Sequence, residues 1–183
     1  MNEQEVEAKE LFMLYRGHFI QMHKNGVLEA YKKGGIEREI EITWYHEIMD
    51  KLTSELSIRD WEAMTGLEAL AKYYQDARML EGVMTFVIRH MMGADSIVKL
   101  MYAERLLSIL QSLKSVLPDD KRYLAYQQTL KILEDISLKP LIIDPGHELE
   151  LFNLKDKKSL NNRVKKSMDE IKTIRFTKLF SKE

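Results

Sequence analysis

The sequence predicts an all-α protein, a single compact bundle of six or seven helices of mixed length with a basic amphipathic helix at the C-terminal end. The three prolines are Pro118, Pro140 and Pro145, so the first 117 residues lack the residue that most strongly interrupts a helix. Apolar residues recur there at steps of three and four, as on a helix with one buried face. Hydrophobic residues make up 45% of the chain and charged residues 31%, which is typical of a folded, helix-rich domain.

The first third of the chain divides at glycines into two helical stretches. A first helix is expected over residues 3–24, followed by a further turn that ends at Gly34-Gly35. The second helix is expected over residues 36–56. Its apolar residues lie four apart: Ile36, Ile40, Trp44, Ile48, Leu52 and Leu56.

A third and a fourth helix are expected in the middle of the chain. Ser57 and Asp60 have the spacing of a capping box, with the shorter acid in place of glutamate. Asp76 is a candidate cap for the fourth helix, and Gly93 is expected to end it. The pattern leaves open whether residues 58–92 form one helix or two.

The remaining helices are separated by prolines. A fifth helix is capped by Asp95 and stops at Pro118, and a sixth follows to about residue 136. Pro140 and Pro145 bias the residues before them away from helix, which predicts an extended connector that ends in a turn.

The chain is therefore expected to have three parts. Residues 1–137 form a helical body, and residues 138–156 form the connector and turn. Residues 157–183 form a basic amphipathic helix that packs on the body or on a partner.

Charge is distributed unevenly along the chain. Residues 155–183 contain ten Lys or Arg and four Asp or Glu, a net charge of +6. The residues before them contain 18 Lys or Arg and 25 Asp or Glu, a net charge of −7, so the formal total of −1 conceals the separation. A basic amphipathic segment of this kind is typical of contact with a partner, a membrane surface or nucleic acid.

The sequence lacks the common signatures of catalysis and cofactor binding. It contains no cysteine, which excludes disulfides, thiolate metal ligands and cysteine nucleophiles. It has no phosphate-binding loop of the Walker type, no Gly-x-Ser-x-Gly and no Gly-x-Gly-x-x-Gly. No long apolar stretch and no signal peptide are found. We therefore expect a cytoplasmic protein that is not an enzyme and uses no cofactor.

Histidines are the first residues to consider for metal binding or catalysis. His46 and Asp50 lie four apart on the second helix, which is the spacing of two metal ligands on one face. Two ligands do not make a site, so a surface histidine beside an acid is the preferred interpretation. His147, in the segment Asp144-Pro145-Gly146-His147, is likewise interpreted as part of a structural turn.

Methionine is abundant, with eleven in the chain. Flexible thioethers usually fill gaps in a core, and core packing is the first interpretation. The alternative is a Met-lined cavity for an apolar small molecule, such as an acyl chain or a tetrapyrrole. The candidate residues for such a pocket are Tyr15, His18, Met22, Met84 and His90.

The basic tail leaves four interpretations open. It binds nucleic acid, attaches peripherally to anionic lipid, docks on the acidic body of a second copy or another protein, or closes its own domain with its basic face in solvent. We expect a regulatory or protein-interaction domain that self-associates. A sensor of an apolar molecule and a nucleic-acid-binding protein are the alternatives. The predicted partner contacts are Lys158, Arg163, Lys165, Lys166, Lys172 and Arg175.

Overall fold

A computed structural model describes residues 2–154 and 156–180, with side chains for all of these except Leu151 and residues 175–180. Within this part of the chain there are nine α-helices, two short 3-10 helices and no strand, which confirms the all-α prediction. The helices form two compact units, Met1–Glu55 and Leu56–Glu183. More helices are observed than the six or seven predicted, because the first predicted helix is broken and the turn after it is a helix of its own.

The first unit contains α1 (Glu3–Tyr15), α2 (Phe19–Lys24), α3 (Leu28–Lys33) and α4 (Arg38–Ser54). A capping box begins α1, since the Asn2 side chain accepts from the Glu5 N–H and the Glu5 carboxylate accepts from the Asn2 N–H. This cap fixes the start of α1, which carries Glu3, Glu7 and Glu10.

A left-handed turn separates α1 from α2. Arg16 and Gly17 have φ of 51° and 67°, and the Gly17 N–H donates to the Phe12 carbonyl, as at a helix C-terminus. His18 then caps α2, because its Nδ1 accepts from the Gln21 N–H at 3.0 Å. The apolar spacing continues across this turn, so the periodicity alone does not indicate it.

An aromatic cluster joins the four helices of the first unit. Phe12 is fully buried, and its ring centroid lies 5.5 Å from that of Trp44 and 6.2 Å from that of Tyr31. Phe19 contacts Tyr31 at 5.3 Å. Because these rings come from α1, α2, α3 and α4, the cluster is the common core of the unit.

The second unit contains α5 (Glu62–Tyr74), α6 (Arg78–His90), α7 (Ser96–Ser112), α8 (Asp119–Leu138) and α9 (Lys157–Phe180). The 3-10 helices are Met91–Gly93 and Leu149–Phe152. Residues 58–92 thus contain two helices. The first ends at Gln75, which is left-handed with φ of 49°, and the Asp76 carboxylate accepts from the Arg78 N–H at the start of the second.

The helix α7 is the centre of the second unit. Twelve of its 17 residues are buried, and it packs against α5, α8 and α9. Asp95 caps it as predicted, with the Val98 N–H donating to the carboxylate at 2.8 Å. The Tyr102 hydroxyl donates to the Ser57 carbonyl at 2.8 Å, and burial raises the pKa of Tyr102 to about 12.

Close packing of α3 on α1 depends on Gly34. A Cβ atom at this position would lie 2.6 Å from the Ala8 Cβ and 3.1 Å from the Gln4 carbonyl oxygen. Backbone atoms cannot move aside cheaply, so Gly34→Ala should lower the free energy of unfolding by about 1–3 kcal/mol, measured by urea denaturation. Gly93→Ala is the control, since a Cβ there meets nothing within 4 Å. Equal stability of the two variants would contradict this packing.

Candidate functional site

The apolar side of the basic helix α9 is buried within its own unit. Leu160, Val164 and Ile171 are fully buried where α9 packs on α8 and α7. Ser167 is also buried. Over this part of the helix the apolar stripe is therefore already covered, and α9 presents its polar side to solvent.

Arg163, one of the predicted partner contacts, is bonded within its own unit. Its guanidinium forms a bidentate pair with Glu104 of α7, with N–O distances of 2.5 and 2.6 Å. A third hydrogen bond goes to the Phe152 carbonyl at 3.2 Å. The side chain is thus held by α7 and by the 3-10 helix that precedes α9.

The exposed part of α9 carries a row of lysines. Lys158, Lys165 and Lys172 are seven residues apart and all are exposed, so they follow one line along the helix. We refer to these three as the lysine row. Lys166 is exposed beside it, and neither Lys165 nor Lys166 has an ion-pair partner among the described residues. The side chain of Arg175, the last predicted contact, lies outside the described residues.

An acidic row lies on the first unit. Glu3, Glu7 and Glu10 of α1 are exposed at steps of four and three, which places them on one side of the helix. In the described part of the chain none of the three makes an ion pair, whereas Lys9 beside them bonds Glu47 at 2.7 Å. In the sequence the acidic residues are spread over the whole body, and nothing in their pattern singles out this row.

A cavity of about 680 Å³ lies in the second unit beside the connector. It is bounded by the start of α7, the end of α8 and the connector itself, and we call it the connector cavity. Its lining combines apolar and charged side chains, including Ile58, Arg59, Met92, Asp95, Lys99, Asp135, Lys139, Ile142, Ile143 and His147.

Two consecutive residues at the start of α7 hold the connector. The second carboxylate oxygen of Asp95 accepts from the Asp144 N–H at 3.1 Å and lies 2.5 Å from Nδ1 of His147. Ser96 donates its N–H to the Ile142 carbonyl at 2.7 Å, and its hydroxyl oxygen accepts from the Ile142 N–H at 3.0 Å. The sequence indicates Asp95 only as a helix cap, since its partners lie far away in the chain.

His147 is fixed by that carboxylate and by two rings. The Trp61 and Phe152 rings lie 5.5 and 6.1 Å from the imidazole. The turn expected here is present, because the Gly146 N–H donates to the Asp144 side chain and the His147 N–H to the Asp144 carbonyl. The imidazole thus ties this turn to α7 rather than standing free.

A group of three charges, two buried and one exposed, lies on one wall of the connector cavity. The Lys99 ammonium bonds Asp135 at 2.7 Å, with both side chains less than a tenth exposed. Lys139 bonds the other carboxylate oxygen of Asp135. Burial alone would raise the pKa of Asp135, but the hydrogen bonds from Lys139 and Lys99 outweigh it and hold that pKa below its ordinary value.

The five candidates for a Met-lined pocket are divided between the units. Tyr15, His18 and Met22 lie in the first, where Met22 is fully buried and Tyr15 accepts a hydrogen bond from Asn25. Met84 and His90 lie in the second, where Met84 is buried and His90 contacts Phe86. Binding of a ligand by these residues stays a prediction.

The proposed metal ligands, His46 and Asp50, lie on α4. His46 is half-buried with its ring against Tyr45, and Asp50 is exposed. Among the described residues, no three His, Asp or Glu side chains are grouped so that they could hold a metal ion.

Comparison with known protein families, curated proteins and solved structures found no match to this chain. None of the helices in the described residues combines the length and apolar content needed to cross a bilayer. The lysine row, the acidic row and the connector cavity are the features of this chain that point to a function.

The buried charges predict an asymmetry between two substitutions. Asp135→Asn leaves Lys99 buried without a carboxylate, whereas Lys99→Met leaves Asp135 paired with Lys139. We expect Asp135→Asn to lower the free energy of unfolding by about 3–5 kcal/mol, and Lys99→Met by at most about half as much. Urea denaturation measures both, with the exposed Lys131→Met as control. A larger loss in Lys99→Met would contradict the assigned pairing.

The lowered pKa of Asp135 predicts a pH dependence. A carboxyl whose folded-state pKa is depressed stabilises the fold above its unfolded-state pKa, and this contribution is lost as the pH falls through the folded-state pKa. The difference in free energy of unfolding between wild type and Asp135→Asn should be constant from neutral pH to about pH 5 and shrink below it. Urea denaturation at several pH values tests this, and a difference that grows on acidification would refute it.

Proposed function

We propose that this chain is a non-enzymatic protein-interaction domain that self-associates, with the lysine row of one copy contacting the acidic row of another. The observation that carries the proposal is the exposure of the lysine row on a helix whose apolar side is buried over the residues with described side chains. Such a helix offers a partner charge rather than an apolar stripe.

The acidic row supplies a surface of the opposite sign. Glu3, Glu7 and Glu10 are exposed and extend over two turns of α1, as the lysine row extends along α9. Opposite charges on two exposed surfaces of the same chain favour encounter between copies and fix their register. Residues 1–154 have a net charge of −7 and residues 155–183 a net charge of +6, which also favours encounter between copies at longer range.

The other interpretations of the tail have less support. Insertion into lipid requires a free apolar face, but on the part of α9 whose side chains are described, Leu160, Val164 and Ile171 are covered by α7 and α8. The side chains of residues 175–180 lie outside the described part of the chain. Base recognition by the Asn161-Asn162-Arg163 cluster requires a free guanidinium, but that of Arg163 is bonded to Glu104 and Phe152. Asp169 also lies between Lys165 and Lys172, 3.9 Å from the latter, which lowers the charge density available to a polyanion.

Charge reversal tests the proposed contact. Lys165→Glu with Lys172→Glu should weaken self-association about 30-fold, because two exposed ion pairs are lost at about 1 kcal/mol each. Glu7→Lys with Glu10→Lys should have the same effect. Sedimentation equilibrium over a hundredfold range of concentration measures the dissociation constant. Lys114→Glu with Lys131→Glu is the matched control, since it changes the net charge equally at exposed positions outside both rows.

Mixing the two reversed proteins separates a direct contact from a general charge effect. The mixture still contains one intact lysine row and one intact acidic row, so a dimer of the two variants should form more tightly than either variant self-associates. Raising the NaCl concentration from about 0.05 to 0.5 M should dissociate it. A wild-type protein that stays monomeric throughout the concentration range, or a control variant as weak as the reversed ones, would overturn the proposal.

A further inference from the structure

We propose that the connector cavity is a binding site for a small amphipathic carboxylate, a monoanion with an apolar chain. This goes beyond the self-association proposed above and uses none of the residues of the lysine row or the acidic row. The cavity volume of about 680 Å³ lies within the range of small-molecule sites in proteins.

Apolar side chains of the cavity are left in water. Ile58 and Met92 are each 39% exposed, and Ile142 is 67% exposed. All three line the connector cavity, and Pro140 and Ile143 add to the same lining. Large apolar side chains grouped in a concave surface are stabilised when an apolar group covers them, so the lining favours a ligand with a hydrocarbon chain.

Two of the three acids that line the cavity already have charged or multiple hydrogen-bond partners. Asp95 accepts from Val98, Asp144 and His147. Asp135 is bonded by two lysines, and Asp144 accepts from the Gly146 N–H. Asp95 and Asp135 are therefore not left to bind a cationic ligand.

Arg59 is the cation of the cavity that is available to a ligand. Arg59 is exposed, lines the cavity and has no ion-pair partner among the described residues. A guanidinium binds a carboxylate through two parallel hydrogen bonds. Among the described lining residues Arg59 is the one cation without a carboxylate partner, and a single guanidinium matches the charge of a monoanion rather than that of a phosphate dianion.

The ligand is also expected to act on the connector. Asp95 and Ser96 hold the connector to α7. Their hydrogen bonds go to three connector residues, Ile142, Asp144 and His147. Ile142 lines the cavity as well, so a ligand against it should slow the local opening of these bonds. Amide exchange at Ile142 and Asp144 therefore provides a readout independent of affinity.

The test uses sodium decanoate below its micelle concentration, titrated into the full-length protein by calorimetry. We expect one decanoate per chain, at least tenfold weaker binding of decanol, and at least tenfold weaker binding of decanoate by Arg59→Gln. Shortening the acid should weaken binding by about two- to fourfold per methylene. Arg89→Gln, an exposed arginine of the same unit, is the control and should bind within twofold of wild type.

Amide exchange locates the bound molecule. Decanoate should slow exchange at Ile142 and Asp144 in wild type and in Lys165→Glu with Lys172→Glu, but not in Arg59→Gln. The proposal would be overturned if the wild type bound no decanoate, or if it bound decanol and decanoate equally. It would also be overturned if decanoate binding were lost in Lys165→Glu with Lys172→Glu and kept in Arg59→Gln. The Arg59→Gln protein should self-associate like wild type, which separates this inference from the proposed function.

Discussion

The burial of α7 is the constraint on which the second unit depends. A helix with 12 of 17 residues buried must be covered on several sides, and α5, α8 and α9 supply that cover. Each covering helix turns its apolar face inward. For α9 this fixes the side that faces solvent, so the lysine row is exposed as a result of packing at α7.

The same burial determines the polar contacts at the start of α7. Lys99 is buried with this helix, and an unpaired ammonium there would be strongly unfavourable. Asp135 on α8 neutralises it, and Lys139 balances the carboxylate from the other side. Asp95 and Ser96 accept hydrogen bonds from the backbone of the connector, at Asp144 and Ile142. These bonds place the connector beside the cavity.

The sequence indicates local features well and distant contacts poorly. The cap at Asp95 and the stop before Pro118 are short-range signals, and the structure has α7 between them. The break at Arg16 and Gly17 is missed although a glycine marks it, because the apolar spacing continues across the turn and a left-handed arginine carries no signal of its own. The lysines of α9 could be found from composition alone, but the bond between Arg163 and Glu104 spans 59 residues and depends on tertiary packing. Arg59, Asp95 and His147 line one cavity for the same reason.

Phe152 connects the cavity with the base of α9. Its ring contacts His147, which is bonded to Asp95, and its carbonyl accepts from Arg163, which is bonded to Glu104 of α7. A displacement of the connector that moves His147 must therefore be accommodated at Phe152 and at the arginine on α9. Packed contacts of this kind transmit a change only where an element has two arrangements. The bonds from Asp95 and Ser96 to the connector are few, and their partners Ile142 and Asp144 are exposed, so this segment is the part of the unit best suited to open without disturbing the core around α7.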